Sequence, residues 1–154
     1  MTFRYIGSKS RLIDQIKAHI GYPKPGAFFV DGFCGTGVVA EAAAGLGWNV
    51  RINDNLRSAV ISAGARLISG DQATFKKLGG YTKAIARLNA INAKHGFMWR
   101  EYSPASVETC GFERRYFTQE NAARIDAMRA LIADWLEAGT INEVEERLLI
   151  ADLF

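Results

Sequence analysis

Two carboxylates flanking a glycine turn are the residues of this chain best suited to chemistry. Asp31-Gly32-Phe33-Cys34-Gly35-Thr36-Gly37 follows an apolar run, Ala27-Phe28-Phe29-Val30, and precedes the small-residue stretch Val38 to Ala44. Asp54 follows an alternating run, Asn49 to Asn53. Glycines let a backbone turn sharply and approach a ligand closely, and the helix start beyond such a turn offers N–H groups with no intrahelical partner. Strand, glycine turn and helix together form the layout of a nucleotide or cofactor pocket.

Two cofactor readings compete for that pocket. Gly35-Thr36-Gly37-Val38-Val39-Ala40 fits the dinucleotide pattern G-x-G-x-x-G/A, and Asp54 lies close to its acidic position. Asp31 is awkward for a dinucleotide, because a carboxylate ending the first strand repels a pyrophosphate. A cationic cofactor without phosphates suits it better, and S-adenosylmethionine is such a molecule, with a sulfonium, an amino group and an adenosine. Asp54 can accept hydrogen bonds from ribose hydroxyls in either case.

The elements that must position these residues are legible from periodicity and punctuation. Gly7 to Ile20 reads as a helix with Ile13, Ile16, Lys17 and Ile20 on one side and Gly21 at its end. Ala27 to Asp31 reads as a short buried strand, Thr36 to Ala44 as a helix, Asn49 to Asn53 as a second strand and Leu56 to Ile68 as a helix. That order is a β-α-β unit preceded by a helix, so the fold class is α/β with a parallel sheet. Two strands make a sheet too small to stand alone. From Gln72 the pattern changes. Gln72 to Ala93 is expected to be helical with a break at Gly79-Gly80, and His95 to Gly111 to be irregular and aromatic. Thr118 can cap a helix from Gln119 to Ala138 carrying a core stripe of Ile125, Met128, Ile132 and Trp135. Ile141, Val144, Leu148 and Leu153 predict a last helix. That helix is apolar to the final residue, with no cap or polar tail, and the expectation is that more chain, or another chain, packs there. The division expected is residues 1–71 for the cofactor-binding part and 72–154 for the mainly helical remainder.

The composition bounds the class. The chain has 154 residues, 49% of them apolar, which is enough for a globular domain with a core. Its longest apolar runs fall far short of the ~20 residues of a membrane span, and Met1 to Tyr5 lacks the apolar core of a signal peptide. Cys34 and Cys110 are far apart and form no metal-type pair, so a reduced, cytoplasmic location is the default and no metal is expected. The net charge of +3 is mild but uneven. Between Gln72 and Arg115 eight cations face three acids, whereas from Tyr116 onward three cations face eight acids. A basic middle is compatible with a phosphate-backbone partner, and equally with solvated helix faces.

The start of the chain decides between the cofactors. Arg4-Tyr5-Ile6-Gly7-Ser8-Lys9-Ser10-Arg11-Leu12, taken with Asp31 to Gly37 and with Ile52-Asn53-Asp54-Asn55, resembles the Dam-type (alpha-class) adenine-specific DNA methyltransferases. In that family an aromatic-x-Gly-x-Lys segment comes first, then an acidic-Pro-Phe-x-Gly-x-Gly turn, then an Asn-Asp segment. Phe112 to Thr118 and Asn121 to Arg129 look like the family's segment between its cofactor and catalytic halves. The resemblance implies the N-terminal half of a Rossmann-like methyltransferase domain with a mainly helical DNA-recognition segment. It implies S-adenosylmethionine as cofactor and double-stranded DNA as partner. Tyr5, Gly7 and Lys9 would lie against the methionine end, with the lysine on the carboxylate and the aromatic over the sulfonium. Asp31 would face the methionine amino group, Phe33, Gly35 and Gly37 would line the pocket, and Asp54 would hold the ribose.

The sequence departs from the family pattern in three places. Gly32 stands where a proline is usual, and Ser8 where a second glycine is common. More important, the family's catalytic Asp-Pro-Pro-Tyr, whose polar groups engage the target amino group while its aromatic stacks on the flipped adenine, does not occur. The prolines are Pro23, Pro25 and Pro104, none in that context. The expectation is therefore a binding half without catalytic residues, inactive alone, whose chemistry comes from a further segment or a second chain. Lys94, Arg100, Arg114 and Arg115, the cations nearest Phe97, Trp99, Tyr102, Tyr116 and Phe117, are the candidate DNA contacts. The rival readings are a non-catalytic cofactor- or DNA-binding module and a nicotinamide-dependent dehydrogenase.

Overall fold

The computed structural model describes residues 9–153. The chain divides into two compact units, one ending at Ser69 and the other beginning at Gly70.

The first unit is built on one crossover. A 3₁₀ turn, Ser10–Leu12, leads into α1 (Ile13–Ile20), which Gly21 ends at φ +62°. Strand β1 (Phe28–Asp31), helix α2 (Val38–Gly45) and strand β2 (Asn49–Ile52) follow, and α3 (Arg57–Arg66) closes the unit. The two strands pair in parallel, with Phe28 opposite Asn49 and Asp31 opposite Ile52. Parallel pairing requires a crossover, and α2 supplies it. Its alanines Ala40, Ala42 and Ala43 are buried, as are Ala59 and Ala63 of α3, so small side chains let the layers approach closely.

The strand expected to be buried is buried on one face only. Phe29 and Asp31 are half-buried, while Phe28 and Val30 remain exposed. The Arg51 guanidinium lies over the Phe28 ring, 4.1 Å from its centre. Helix α2 begins at Val38 rather than Thr36, because Gly37 precedes it in a left-handed conformation at φ +78°.

The regular elements of the second unit are all helices among its described residues, with α4 (Tyr81–Asn89), α5 (Phe97–Tyr102), α6 (Val107–Cys110), α7 (Gln119–Glu137) and α8 (Glu143–Asp152). Its core joins Phe75, Leu78, Ala84, Leu88, Ile132, Ile141 and Leu149. Thr118 caps α7 as expected, its hydroxyl accepting from the Asn121 N–H. Of the stripe read on that helix, Ile132 is fully buried and Met128 and Trp135 pack against the core. On α8 the buried apolar residue is Leu149, not Leu148.

Two expectations are corrected here. Residues 72–75 are not helical. Phe75 takes φ +49° and is followed by a single 3₁₀ turn, Lys76–Leu78. The cause lies seventy residues away. Glu145, 5% exposed, accepts the Phe75 N–H on one oxygen and the Asn142 N–H on the other. The stretch from His95 is also not irregular. It forms α5, a 3₁₀ turn Pro104–Ser106 and α6. Asp126 of α7 makes α5 possible, because its carboxylate accepts the Gly96, Met98 and Trp99 N–H groups at 2.8–3.0 Å. Those are helix-start donors that no residue within α5 could satisfy.

Gly37 is the position at which this packing is most exposed to substitution. A Cβ built there lies 2.6 Å from the Ala63 Cα, a backbone contact that cannot swing aside. Gly37→Ala adds that overlap to the cost of a left-handed alanine, and is expected to destabilise the first unit by roughly 2–4 kcal/mol. The urea midpoint of the variant checks this.

Candidate functional site

The carboxyl ends of β1 and β2 open into a cleft of about 460 Å³. Ligands of open parallel sheets bind at this end of the strands, and the volume falls in the usual range for small-molecule sites. Lys9, Asp31, Phe33, Gly35 and Asp54 all line it, together with Ile16, Cys34, Thr36, Val38 and Val39. Five sequence-predicted pocket residues are thus brought together from three segments of chain. Tyr5 and Gly7 lie outside the described residues. Gly37 does not line the cleft; its φ and its contact with Ala63 make it a packing residue that sets where α2 starts.

The turn is tied to the end of β2. The Asn53 N–H donates to the Asp31 carbonyl at 2.9 Å, the Cys34 N–H donates to the Asn53 carbonyl at 2.9 Å, and the Asn53 side-chain amide donates to the Gly32 carbonyl at 3.0 Å. Asp54 completes the tie, accepting the Gly35 N–H at 2.9 Å and the Leu56 N–H at 3.0 Å. Those backbone donors, Leu56 foremost and then Gly35, hold its carboxyl below the usual range.

Asp31 is different. Its Oδ2 is buried and accepts no hydrogen bond from any described residue. A buried carboxylate oxygen without a donor is costly, so an added donor at that oxygen, a cationic one best, would be favourable. Phe33 is 85% exposed, which rules out a core role and leaves its ring free at the cleft. Cys34 is a neutral thiol: burial, then Asp54 and Asp31, push its pKa up. Two carboxylates, with Lys9 the one cation among the described residues that line the cleft, form a poor site for a diphosphate.

In the second unit the candidate DNA contacts separate by how firmly they are held. The Lys94 side chain is exposed and pairs with no carboxylate among the described residues. Arg100 donates to Glu101 at 2.9 Å. Arg114 pairs with the same carboxylate at 3.5 Å, donates to the Glu101 carbonyl at 3.1 Å and lies over the Phe112 ring. Arg115 pairs with Glu113 and is 78% exposed. The acids that answer these arginines are therefore their own neighbours in the loop and α5. Exposed pairs of this kind are worth little, so Arg100 and Arg115 can exchange a carboxylate for a phosphate. Arg114 is held by three different groups and serves first to fix the loop.

With the geometry in view, comparison with known proteins is decisive at the family level. Residues 5–138 match the family model described as D12 class N6 adenine-specific DNA methyltransferase. The chain belongs to that family. Among its relatives, the type II methyltransferase M.FokI of Planomicrobium okeanokoites is 34% identical over 97% of this chain. The modification methylase LlaI of Lactococcus lactis subsp. lactis and the type II methyltransferase M.NlaIII of Neisseria lactamica are each 30% identical over 97%. The chain spans 24% of the length of the first two and 43% of the third. No solved structure matches it closely enough to serve as a neighbour. The family implies a methyl donor and a DNA substrate. No helix among the described residues is long and apolar enough to cross a membrane, and those residues hold no cluster of metal-ligating side chains.

Some cleft residues of this family member escaped the sequence reading. Cys34 and Thr36 sit inside the turn already singled out, and their alternation with Phe33 and Gly35 was the available signal. Ile16 was read only as part of an apolar packing stripe, and nothing local marks it as facing a ligand.

Asp54 gives the site a pH signature. Its pKa is lower folded than unfolded, so its stabilisation is full above the ordinary carboxylate value of about 4 and is lost as pH falls through the lower native value. Asp54→Asn, which cannot accept both N–H groups, is expected to lower the urea midpoint at neutral pH. The gap to the wild type should narrow as the solution is acidified below about pH 4. A gap that stays constant would show that the carboxylate is not what ties the turn.

Proposed function

We propose that this chain forms the S-adenosylmethionine-binding part, and a share of the DNA-contacting part, of a DNA adenine methyltransferase with a Rossmann-like core. The proposal takes residues 1–71 as the cofactor half and 72–154 as the recognition segment. The observation that carries the reading is the Oδ2 of Asp31, buried and without a partner among the described residues, in a cleft at the carboxyl ends of two parallel strands.

Each cleft residue has a task in this reading. Asp31 accepts from the methionine amino group, which supplies the cationic donor its oxygen lacks. Lys9 pairs with the methionine carboxylate, and Tyr5 and Gly7 belong to the same end of the site by family resemblance. Phe33 offers an exposed ring to the flat or cationic parts of the cofactor. Gly35 brings backbone to the cleft without a side chain. Asp54 stays ionised and spends one lone pair of each oxygen on the turn, so further lone pairs remain for the ribose hydroxyls. When bound, the cofactor supplies an electrophilic methyl group for the adenine amino nitrogen. The residues that engage that nitrogen are not among these 154, since the sequence contains no Asp-Pro-Pro-Tyr. The chain by itself therefore binds cofactor without turnover.

Calorimetry with S-adenosylmethionine and with NAD tests the reading, with binding expected for the first alone. Asp31→Asn is expected to weaken S-adenosylmethionine by about 10- to 100-fold, the worth of a hydrogen bond between charged groups. The ligand-free variant should be no less stable than the wild type, because a buried unpaired charge has been removed. A variant that loses stability while keeping affinity would make Asp31 a structural residue. Methyl transfer to adenine-containing duplex by the isolated, homogeneous chain would overturn the assignment of catalysis to residues outside it.

A further inference from the structure

Five of the six exposed large hydrophobic residues described in the second unit fall between Phe97 and Tyr116. Four are aromatic: Phe97 at 56% exposed, Tyr102 at 36%, Phe112 at 58% and Tyr116 at 72%. Three of them form a ladder. The Phe97 and Tyr102 rings are 5.7 Å apart, and so are the Tyr102 and Tyr116 rings. This cluster is larger than the scattered apolar residues normal on a surface.

The ladder is also built to hold its shape. The loop that carries Tyr116 is fastened to α5 and the turn beyond it by four hydrogen bonds, one of them from the Ser106 hydroxyl to the Phe112 carbonyl at 3.0 Å. The Phe117 N–H donates to the Tyr102 carbonyl at 3.1 Å, the Arg114 N–H donates to the Ser106 hydroxyl at 2.8 Å, and the Arg114 guanidinium donates to the Glu101 carbonyl at 3.1 Å. Rings fixed by backbone contacts lose little freedom when a ligand lands on them.

The charge around the rings settles which ligand fits. Arg100, Arg114 and Arg115 pair with Glu101 and Glu113, so these three arginines exceed the carboxylates that answer them by only one charge. Binding to a closed duplex draws on phosphate neutralisation, which scales with the number of cations committed. Here three of four cations are already paired. Stacking on rings needs no net charge and is worth about 1–3 kcal/mol per base, but it requires bases that are not stacked on one another.

We propose that the Phe97–Tyr102–Tyr116 ladder is a stacking surface for unstacked DNA bases, so that the second unit prefers single-stranded or locally opened DNA to closed duplex. Lys94 and Arg115 follow the backbone of the same strand. The inference rests on the reading of this unit as DNA-contacting and specifies the form of DNA it engages.

The test is fluorescence anisotropy of the full 154-residue chain with a short labelled DNA strand and with its blunt duplex, each titrated at two salt concentrations. The wild type is expected to bind the strand more tightly than the duplex. Tyr116→Ala should weaken strand binding by roughly 5- to 100-fold and leave duplex binding nearly unchanged, while Tyr116→Phe, which keeps the ring, should restore it. Arg115→Ala should weaken both forms and flatten the salt dependence. Tyr116 is exposed, so its substitution is tolerated by the fold, and Phe97→Ala gives an independent second reading. Salt-sensitive binding to both forms that ignores the ring substitutions would overturn this inference alone. Binding to neither form would overturn it together with the DNA reading beneath it, and leave the rings as a surface facing protein.

Discussion

The first unit depends on the junction between its glycine turn and the end of β2. Asn53 makes three of the bonds in that junction, through its N–H, its carbonyl and its side-chain amide, and Asp54 adds the link to Gly35. The strands pair over only four residues each, too short a ladder to fix a loop beyond its end. The Asn-Asp segment extends the order of the sheet into the turn. Asp31, Phe33, Gly35 and Asp54 therefore occupy fixed places at the cleft before anything binds, and a ligand has little left to organise. The same carboxylate that fastens the turn also lines the cleft.

The second unit applies carboxylates in a comparable way, at longer range. Asp126 gathers three N–H groups at the start of α5, and Glu145 holds Phe75 in a left-handed turn at the base of the helical core. Glu101 joins Arg100 to Arg114. Gly96 is required beside Asp126, since a Cβ there would lie 2.7 Å from the Asp126 carboxyl carbon. The acids of the chain's final third are in part the fasteners of earlier elements. On the candidate DNA surface, pairing with Glu101 and Glu113 lowers the net charge while leaving the rings exposed.

This division explains what could be read from the residues alone. The β-α-β unit, the Thr118 cap and the cleft residues of the glycine turn depend on local signals: alternation, a capping hydroxyl, and glycines between strand and helix. Residues 72–75 and 95–111 were misread because their conformations are fixed by Glu145 and Asp126, tens of residues away, and a propensity argument cannot see such partners. Gly37 was assigned to the pocket for the same reason. Its neighbour Ala63 arrives from the next helix, and only that contact separates a glycine that makes room for a ligand from one that makes room for a helix. The exposed faces of Phe28 and Val30 show the limit of hydrophobicity as a guide, because an apolar run marks a strand without saying how many of its faces are covered.

Asp31 and Asp54 show how one site can contain two carboxylates with opposite obligations. Asp31 ends β1, Asp54 lies two residues beyond the end of β2, and both line the same cleft. Asp54 is surrounded by backbone donors, so its charge is stabilised by the fold itself. Asp31 has a buried oxygen with no donor among the described residues, although the Asn53 amide lies close enough to bind the neighbouring Gly32 carbonyl. The Asn53 amide is thus committed to the backbone, and Asp31 Oδ2 has no donor among the described residues. A fold optimised only for stability would have closed that gap or replaced the acid with an apolar side chain. A cleft that held a cationic group would benefit from leaving it open, because that oxygen would then be available to the ligand.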